Sequence, residues 1–297
     1  MGQRDAFLSL MAIGDAFGMK YEFVTHDQTA SRDDLSYGPN PVFGAYPPSE
    51  YTDDTQMSLA NAELLLSPAF SDAATLDNDA LIGAWLKAFK RDNRLGYSQI
   101  MYGILETSAD ANEFRAQVNP KMGVTSGGAM RAGPFGLLPD VADALRLAEQ
   151  QARITHDTVP GVNAAKAVAL TVHHLHHGGS RANLPAVLAD TLGADWNGEE
   201  CGNTGHPNNG LTIVTQALNA IDSAASYGDV LLTGVNQSPH ADTDTICALG
   251  MLFASRCTDL TNDLPPNLYA TLCAGGGEYG LAYLGQVDAQ LMRRFPA

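Results

Sequence analysis

Thr52-Asp53-Asp54-Thr55, leading into Gln56-Met57-Ser58-Leu59-Ala60-Asn61-Ala62-Glu63-Leu64-Leu65-Leu66, decides how this chain is read. Met57, Leu59, Ala60 and Leu64 fall at helical rather than alternating spacing, so the segment predicts a helix over Thr55–Leu66 with an acidic entrance. Far along the chain, Asp242-Thr243-Asp244-Thr245 precedes Ile246, Ala248, Leu249 and Leu252 in the same way and predicts a helix over Thr245–Arg256. The helical period recurs at Leu81, Trp85, Leu86 and Phe89, and at Val141, Leu145, Leu147, Ala148 and Ala152. Further helices are expected over Gly161–His177, Leu184–Leu192, Leu211–Ser226 and Glu278–Arg294, with Asn, Asp, Pro and Gly clusters between them. Alternating Val/Ile/Thr runs of the kind a sheet needs are scarce. The expected fold class is all-α, a compact many-helix bundle.

Three stretches resist a helical reading: 25–53, 119–126 and 197–210. Long polar loops in a compact domain are more often site-forming than idle, so all three are expected around one pocket. Nothing in the 297 residues reads as a linker, which favours a single domain over 1–297. Hydrophobic residues at 45% suffice for an extensive core, and 17% charged residues are too few for a disordered chain. The formal charge of −16 repels phosphate backbones and anionic membrane surfaces, so nucleic-acid backbone binding is not expected.

Cys201, Cys247, Cys257 and Cys273 show no metal-type pairing and read as reduced thiols. The apolar stretch from Ala6 to Ile13 is faintly signal-like. Asp5 interrupts its basic end, however, and Gly14-Asp15 follows at once, so a buried first helix is expected. Ala6 stands where a myristoylation motif wants Ser or Thr. No apolar run reaches membrane-spanning length, and the expected compartment is the cytoplasm.

The two acidic entrances admit two readings. Asp53 with Gln56 three residues on forms a capping box, and one cap is all a helix needs. A cap does not account for two adjacent carboxylates flanked by two threonines, nor for the second entrance, where Asp242 and Asp244 can face one side. With Glu22, which follows Gly14-Asp15-Ala16-Phe17-Gly18, these make an oxygen-rich set. Such a set suits Mg²⁺ or Mn²⁺ better than zinc, which favours His and Cys. Gly127-Gly128 lets backbone approach a ligand at a helix entry, or is a plain turn. His156 alone reads as an ordinary core or surface residue. His173-His174 and His176-His177 lack an accompanying acid or Cys and read as a solvated helix end.

Taken in order, Gly14-Asp15-Ala16-Phe17-Gly18 with Tyr21-Glu22-Phe23, Tyr51 to Met57, Ser126-Gly127-Gly128-Ala129-Met130-Arg131 with Pro134 and Gly136, Thr155-His156, and Asp242-Thr243-Asp244-Thr245 resemble the ADP-ribosylglycohydrolases. The bacterial type of that family removes ADP-ribose from dinitrogenase reductase. The resemblance runs over nearly the whole chain and implies a compact orthogonal bundle with two Mg²⁺ or Mn²⁺ ions at the base of an ADP-ribose cleft. It assigns the metals to Thr52, Asp53, Asp54, Asp242, Asp244 and Thr245. It assigns the diphosphate to the Ser126, Gly127, Gly128, Ala129, Met130 and Arg131 loop, and the cleft wall to His156. Whether Arg131 grips phosphate or pairs with a buried acid stays open. Asp53 and Glu22 are the implied catalytic carboxylates.

The implied activity is metal-dependent cleavage of N- or O-linked ADP-ribose, from arginine on protein first, with serine-linked and small conjugates as alternatives. A monomer is one compatible state. Ser238-Pro239-His240, where the family commonly has glycines, and the loop from Cys201 to His206 depart from the family pattern and leave substrate choice open. Two rival readings remain: a non-catalytic ADP-ribose binder or immunity protein that blocks an ADP-ribosylating toxin, and a structural protein of the crystallin kind.

Overall fold

Leu8–Gly18 (α1) is buried along its entire length, the position only a central helix of a bundle can occupy. The computed structural model describes all residues except 1–5, 26–31, 45, 199, 201–207, 238–240 and 275–276. In chain order the other helices are α2 (Asp53–Leu66), α3 (Asn78–Arg91), α4 (Gln99–Thr107), α5 (Ala111–Gln117), α6 (Gly127–Met130) and α7 (Val141–Thr155). They continue as α8 (Val159–His176), α9 (Leu184–Leu192), α10 (Gly210–Asp222), α11 (Tyr227–Asn236), α12 (Thr243–Ala254), α13 (Pro266–Thr271) and α14 (Leu281–Arg294). Among the described residues the only bridge of strand type is the isolated pair Ser226 and Thr261. The expected all-α class is what the chain adopts.

Buried apolar residues from Phe7 to Phe295 form one continuous cluster with α1 and α12 at its centre. These two helices touch through glycine. A Cβ at Gly14 would stand 2.2 Å from the Cys247 carbonyl oxygen, and one at Gly18 would stand 2.2 Å from that of Thr243. The Thr243 hydroxyl donates to the Gly18 carbonyl at 2.9 Å, which locks the end of α1 to the start of α12. The amino-terminal amides of α1 are satisfied from a distance. Asp288 of α14 accepts from the backbone of Phe7, Leu8 and Ser9 at 2.8 to 3.0 Å and from the Ser9 hydroxyl at 2.7 Å.

Several expectations need correction. Asp53 is the first residue of α2 and makes no capping box, since the Thr52 side chain does not cap the helix. The Gln56 amide donates instead to the Asp92 carbonyl, and its oxygen accepts from the Tyr97 hydroxyl at 2.7 Å. The helix expected over Leu211–Ser226 ends at Asp222, and Ser226 opens α11 with a capping box to Asp229. The α5 helix is too short to produce a readable period, and α4 buries only the adjacent Ile104 and Leu105, which mark none. The histidines near the end of α8 are not simply solvated. His176 is buried and meets the Phe295 carbonyl at 3.0 Å, while His173 and His177 meet that of Leu138 at 3.0 and 3.2 Å.

Cys247, Cys257 and Cys273 are buried and form no disulfide among the described residues; Cys201 lies outside them. Among the described residues no helix is long and apolar enough to cross a membrane.

Candidate functional site

The carboxyl end of α1 and the amino ends of α2 and α12 meet at one point, so two segments almost two hundred positions apart share a pocket. Asp15, on the last turns of α1, is fully buried and acts as the cap that α2 lacks. Its carboxylate accepts from the Thr52 amide at 3.0 Å and hydroxyl at 2.9 Å, and from the Thr55 amide at 3.1 Å and hydroxyl at 2.6 Å. The capping work falls to a distant residue, which leaves Asp53 and Asp54 to face the pocket.

Carboxylate oxygens of Asp15, Asp54 and Asp244 lie within 4.8 Å of one another, as do those of Glu22, Asp242 and Asp244. Asp244 belongs to both sets and joins them. The Thr245 hydroxyl donates to Asp54 Oδ1 at 3.1 Å, and the Ser126 hydroxyl donates to Asp242 Oδ2 at 2.8 Å. The other oxygen of Asp54, Oδ2, is buried and has no hydrogen-bond partner among the described residues. A buried, unpartnered carboxylate oxygen is costly unless a cation or proton meets it. Among the described residues no Lys or Arg forms an ion pair with any of these acids.

Crowding and burial raise the proton affinity of five of these acids. Burial pushes Asp15 up to about 6 despite the hydrogen bonds it accepts. Burial, then Asp242, Asp53 and Asp15, drives Glu22 well above the usual carboxylate range. Asp53, Asp54 and Asp244 move the same way, by burial first and neighbouring carboxylates second. Hard, closely spaced oxygen donors with a shared aspartate fit a hard divalent cation.

A cavity runs from these acids toward α6 and α7. Glu22, Asp53, Asp54, Asp242, Asp244 and Thr245 line one end; Ser126, Gly127, Met130, Arg131 and His156 line the other. Thr52 is turned toward Asp15, and Gly128 and Ala129 lie behind the wall rather than on it. Tyr97, Ser98 and Met101 also line the cavity. Nothing in their sequence marked them, because their segment carries no acid, His or glycine motif. Thr125 and Asn208 on the wall bring the loops 119–126 and 197–210 to the same cavity as Asp53. Asp15 belongs to the Gly14-to-Gly18 segment, but its burial and capping role depend on the crossing of α1 and α2.

Arg131 is nearly fully buried and lies over the Trp85 ring at 4.1 Å. Its Nε donates to Gln151 Oε1 at 2.6 Å, and one terminal nitrogen donates to the Thr155 hydroxyl at 2.6 Å. Gln151 in turn donates to the Gly128 carbonyl at 2.7 Å. Arg131 therefore braces α6 against α7, and among the described residues it makes no ion pair with an acid. Burial, with Arg131 nearby, pushes His156 down to about 3, so its ring is neutral in ordinary buffers.

The sequence profile of the ADP-ribosylglycohydrolase family matches residues 6–256, a span that contains all of these groups. The chain belongs to the ADP-ribosylglycohydrolase family. It is 30% identical over 175 residues to ADP-ribosylhydrolase ARH3 of Mus musculus, a match covering 54% of this chain and 45% of that protein. It is 32% identical over 179 residues to an uncharacterised protein of Archaeoglobus fulgidus, covering 57% and 54%. The chain thus spans about half the length of the curated relatives it matches. A solved structure titled as an ADP-ribosylglycohydrolase-related protein complex superposes with a TM-score of 0.73 over 98% of this chain and 97% of its own, at 22% identity, and shares the fold. In this member of the family, Ser238-Pro239-His240 and Cys201 to His206, where it departs from the family pattern, lie outside the described residues.

Proposed function

We propose that this ADP-ribosylglycohydrolase-family chain is a divalent-cation-dependent hydrolase that removes ADP-ribose from modified substrates, with arginine-linked mono-ADP-ribose on protein as its first target. The observation that carries this reading is the unpartnered Asp54 Oδ2 within two interlocking carboxylate sets at the end of a cavity. Asp54, Asp242 and Asp244, with Glu22 and the Thr245 hydroxyl, would hold the cations, and two ions suit two sets that share Asp244. Bound cations would supply positive charge that orients ribose hydroxyls and acidifies water.

The chain's own groups do the rest. Asp53 lines the cavity and would take a proton from an attacking water. Glu22, crowded by other acids, is placed to hold or give up a proton beside the glycosidic bond, where an oxocarbenium-like centre calls for acid and base together. Gly127 and Ser126 bring backbone to the far end of the cavity, where a diphosphate can be met without a basic patch.

A panel of arginine-, serine- and cysteine-linked ADP-ribose substrates, assayed with Mg²⁺, with Mn²⁺ and with EDTA, tests this. Turnover with cation is expected, falling by about 100-fold or more in Asp53→Ala, the size of an acid–base contribution. Tight binding without turnover would make the protein a reader rather than a hydrolase. EDTA-resistant activity would remove the metal from the reading.

A further inference from the structure

His156 sits at the end of a one-way chain of hydrogen bonds. The Arg131 guanidinium can only donate, and it does so to Thr155 Oγ1 at 2.6 Å. Thr155 Oγ1 is also 2.7 Å from His156 Nδ1, and among the described residues these are its only hydrogen-bond partners. A threonine hydroxyl has one proton, and among the described residues His156 Nδ1 is the one acceptor within its reach, so the proton is directed at Nδ1. Nδ1 of a neutral imidazole that accepts a hydrogen bond leaves the ring proton on Nε2.

The ring is held in that orientation by close backbone. A Cβ on Gly127 would stand 2.7 Å from His156 Cε1 and 3.0 Å from Nε2, and one on Gly123 would stand 2.8 Å from Cγ. Nε2 is thereby directed to the edge formed by Thr125 and Gly127, both on the cavity wall, and its one hydrogen-bond contact there among the described residues is a long 3.4 Å approach to the Thr125 hydroxyl.

We propose that Thr155, polarised by Arg131, is a positioning residue that fixes His156 as the Nε2–H tautomer and so presents a neutral donor to an anionic oxygen of the bound nucleotide sugar. The ligand rests on the function proposed above; the tautomer does not. Arg131 therefore acts on the ligand at second hand, through Thr155 and His156, rather than by gripping phosphate.

The test uses the full chain labelled with ¹⁵N at histidine, whose two-bond nitrogen correlations report which ring nitrogen carries the proton. Wild type and Thr155→Ser are expected to show His156 as Nε2–H, and Thr155→Val to lose that single state. ADP-ribose affinity, measured by calorimetry, is expected to fall about tenfold in Thr155→Val and to recover in Thr155→Ser, since a hydrogen bond to a charged group has roughly that worth. A wild-type spectrum with the proton on Nδ1 overturns the relay, and it needs no variant to fold. An Nε2–H signal unchanged in Thr155→Val removes Thr155 from it, and unchanged affinity in a variant that has lost that signal removes the donor role. If wild type shows Nε2–H yet binds no ADP-ribose, the relay stands and the reading of the cavity falls.

Discussion

Asp15 and Asp54 divide the labour that two adjacent acids in a sequence motif left ambiguous. Asp15 takes the backbone amides of α2, and Asp54 is left with one buried oxygen and nothing to meet it. Removing Asp54's charge should therefore hurt cation uptake directly, while Asp15 should act by orientation. Calorimetric titration of Mn²⁺ is expected to show roughly 10–100-fold weaker binding in Asp15→Asn, the usual range for a group supporting the ligands, and at least as large a loss in Asp54→Asn. Circular dichroism should report the helices intact in both. Wild-type affinity in Asp54→Asn would contradict the assignment of its free oxygen to a cation. Thr52 illustrates the limit of motif reading at this scale: its hydroxyl donates to Asp15, which no spacing rule could reveal.

At the scale of elements, the site depends on how closely α1 and α12 approach and on caps supplied by remote helices. Gly18→Ala would drive a methyl group into the Thr243 carbonyl at the entrance that carries Asp242 and Asp244. It is expected to cost about 1–3 kcal/mol in urea denaturation, as overpacked positions do, and to weaken Mn²⁺ uptake together with stability. Asp288→Ala should cost about 3 kcal/mol by exposing three buried amides and a hydroxyl on α1, with no direct effect on bound cation. Equal stability in Asp288→Ala would mean that α1 finds another cap. The long helices were legible because an apolar face repeated over several turns leaves a period. The α5 helix was not, because two turns leave none, nor was α4, whose buried Ile104 and Leu105 are adjacent and mark no period, whereas Leu184 and Leu188 of the equally short α9 stand one turn apart; the α10 to α11 boundary was missed because Ser226 caps a helix whose apolar residues continue the same pattern.

For the whole molecule, the buried acids tie stability to pH and to cation. Asp15, Glu22, Asp53, Asp54 and Asp244 have raised folded-state pKa values, so their contribution is complete below the ordinary carboxylate range and is lost as pH rises above it, through about 6 for Asp15. His156, pushed down to about 3, has the opposite sign: its contribution is present above the ordinary histidine value and is lost as pH falls toward about 3. Five raised carboxyls oppose one histidine, so Tm in EDTA should fall as pH rises through about 6. Saturating Mn²⁺ should flatten or reverse that slope, because ionised carboxylates bind the cation and the folded state gains by mass action. A Tm in EDTA that rises with pH over this window would show that the acids are not confined as the fold places them.

Sequence by itself determined the all-α class, the family and the acid-rich segments Tyr51 to Met57 and Asp242 to Thr245, because helical period and clustered carboxylates are local properties of the chain. Only the tertiary structure decided that Asp15 caps α2, that Asp244 belongs to two carboxylate sets, and that Arg131 spends its donors on Gln151 and Thr155. Each of those depends on where helices cross, and a crossing is set by side chains and glycines remote in sequence whose contact no local pattern encodes.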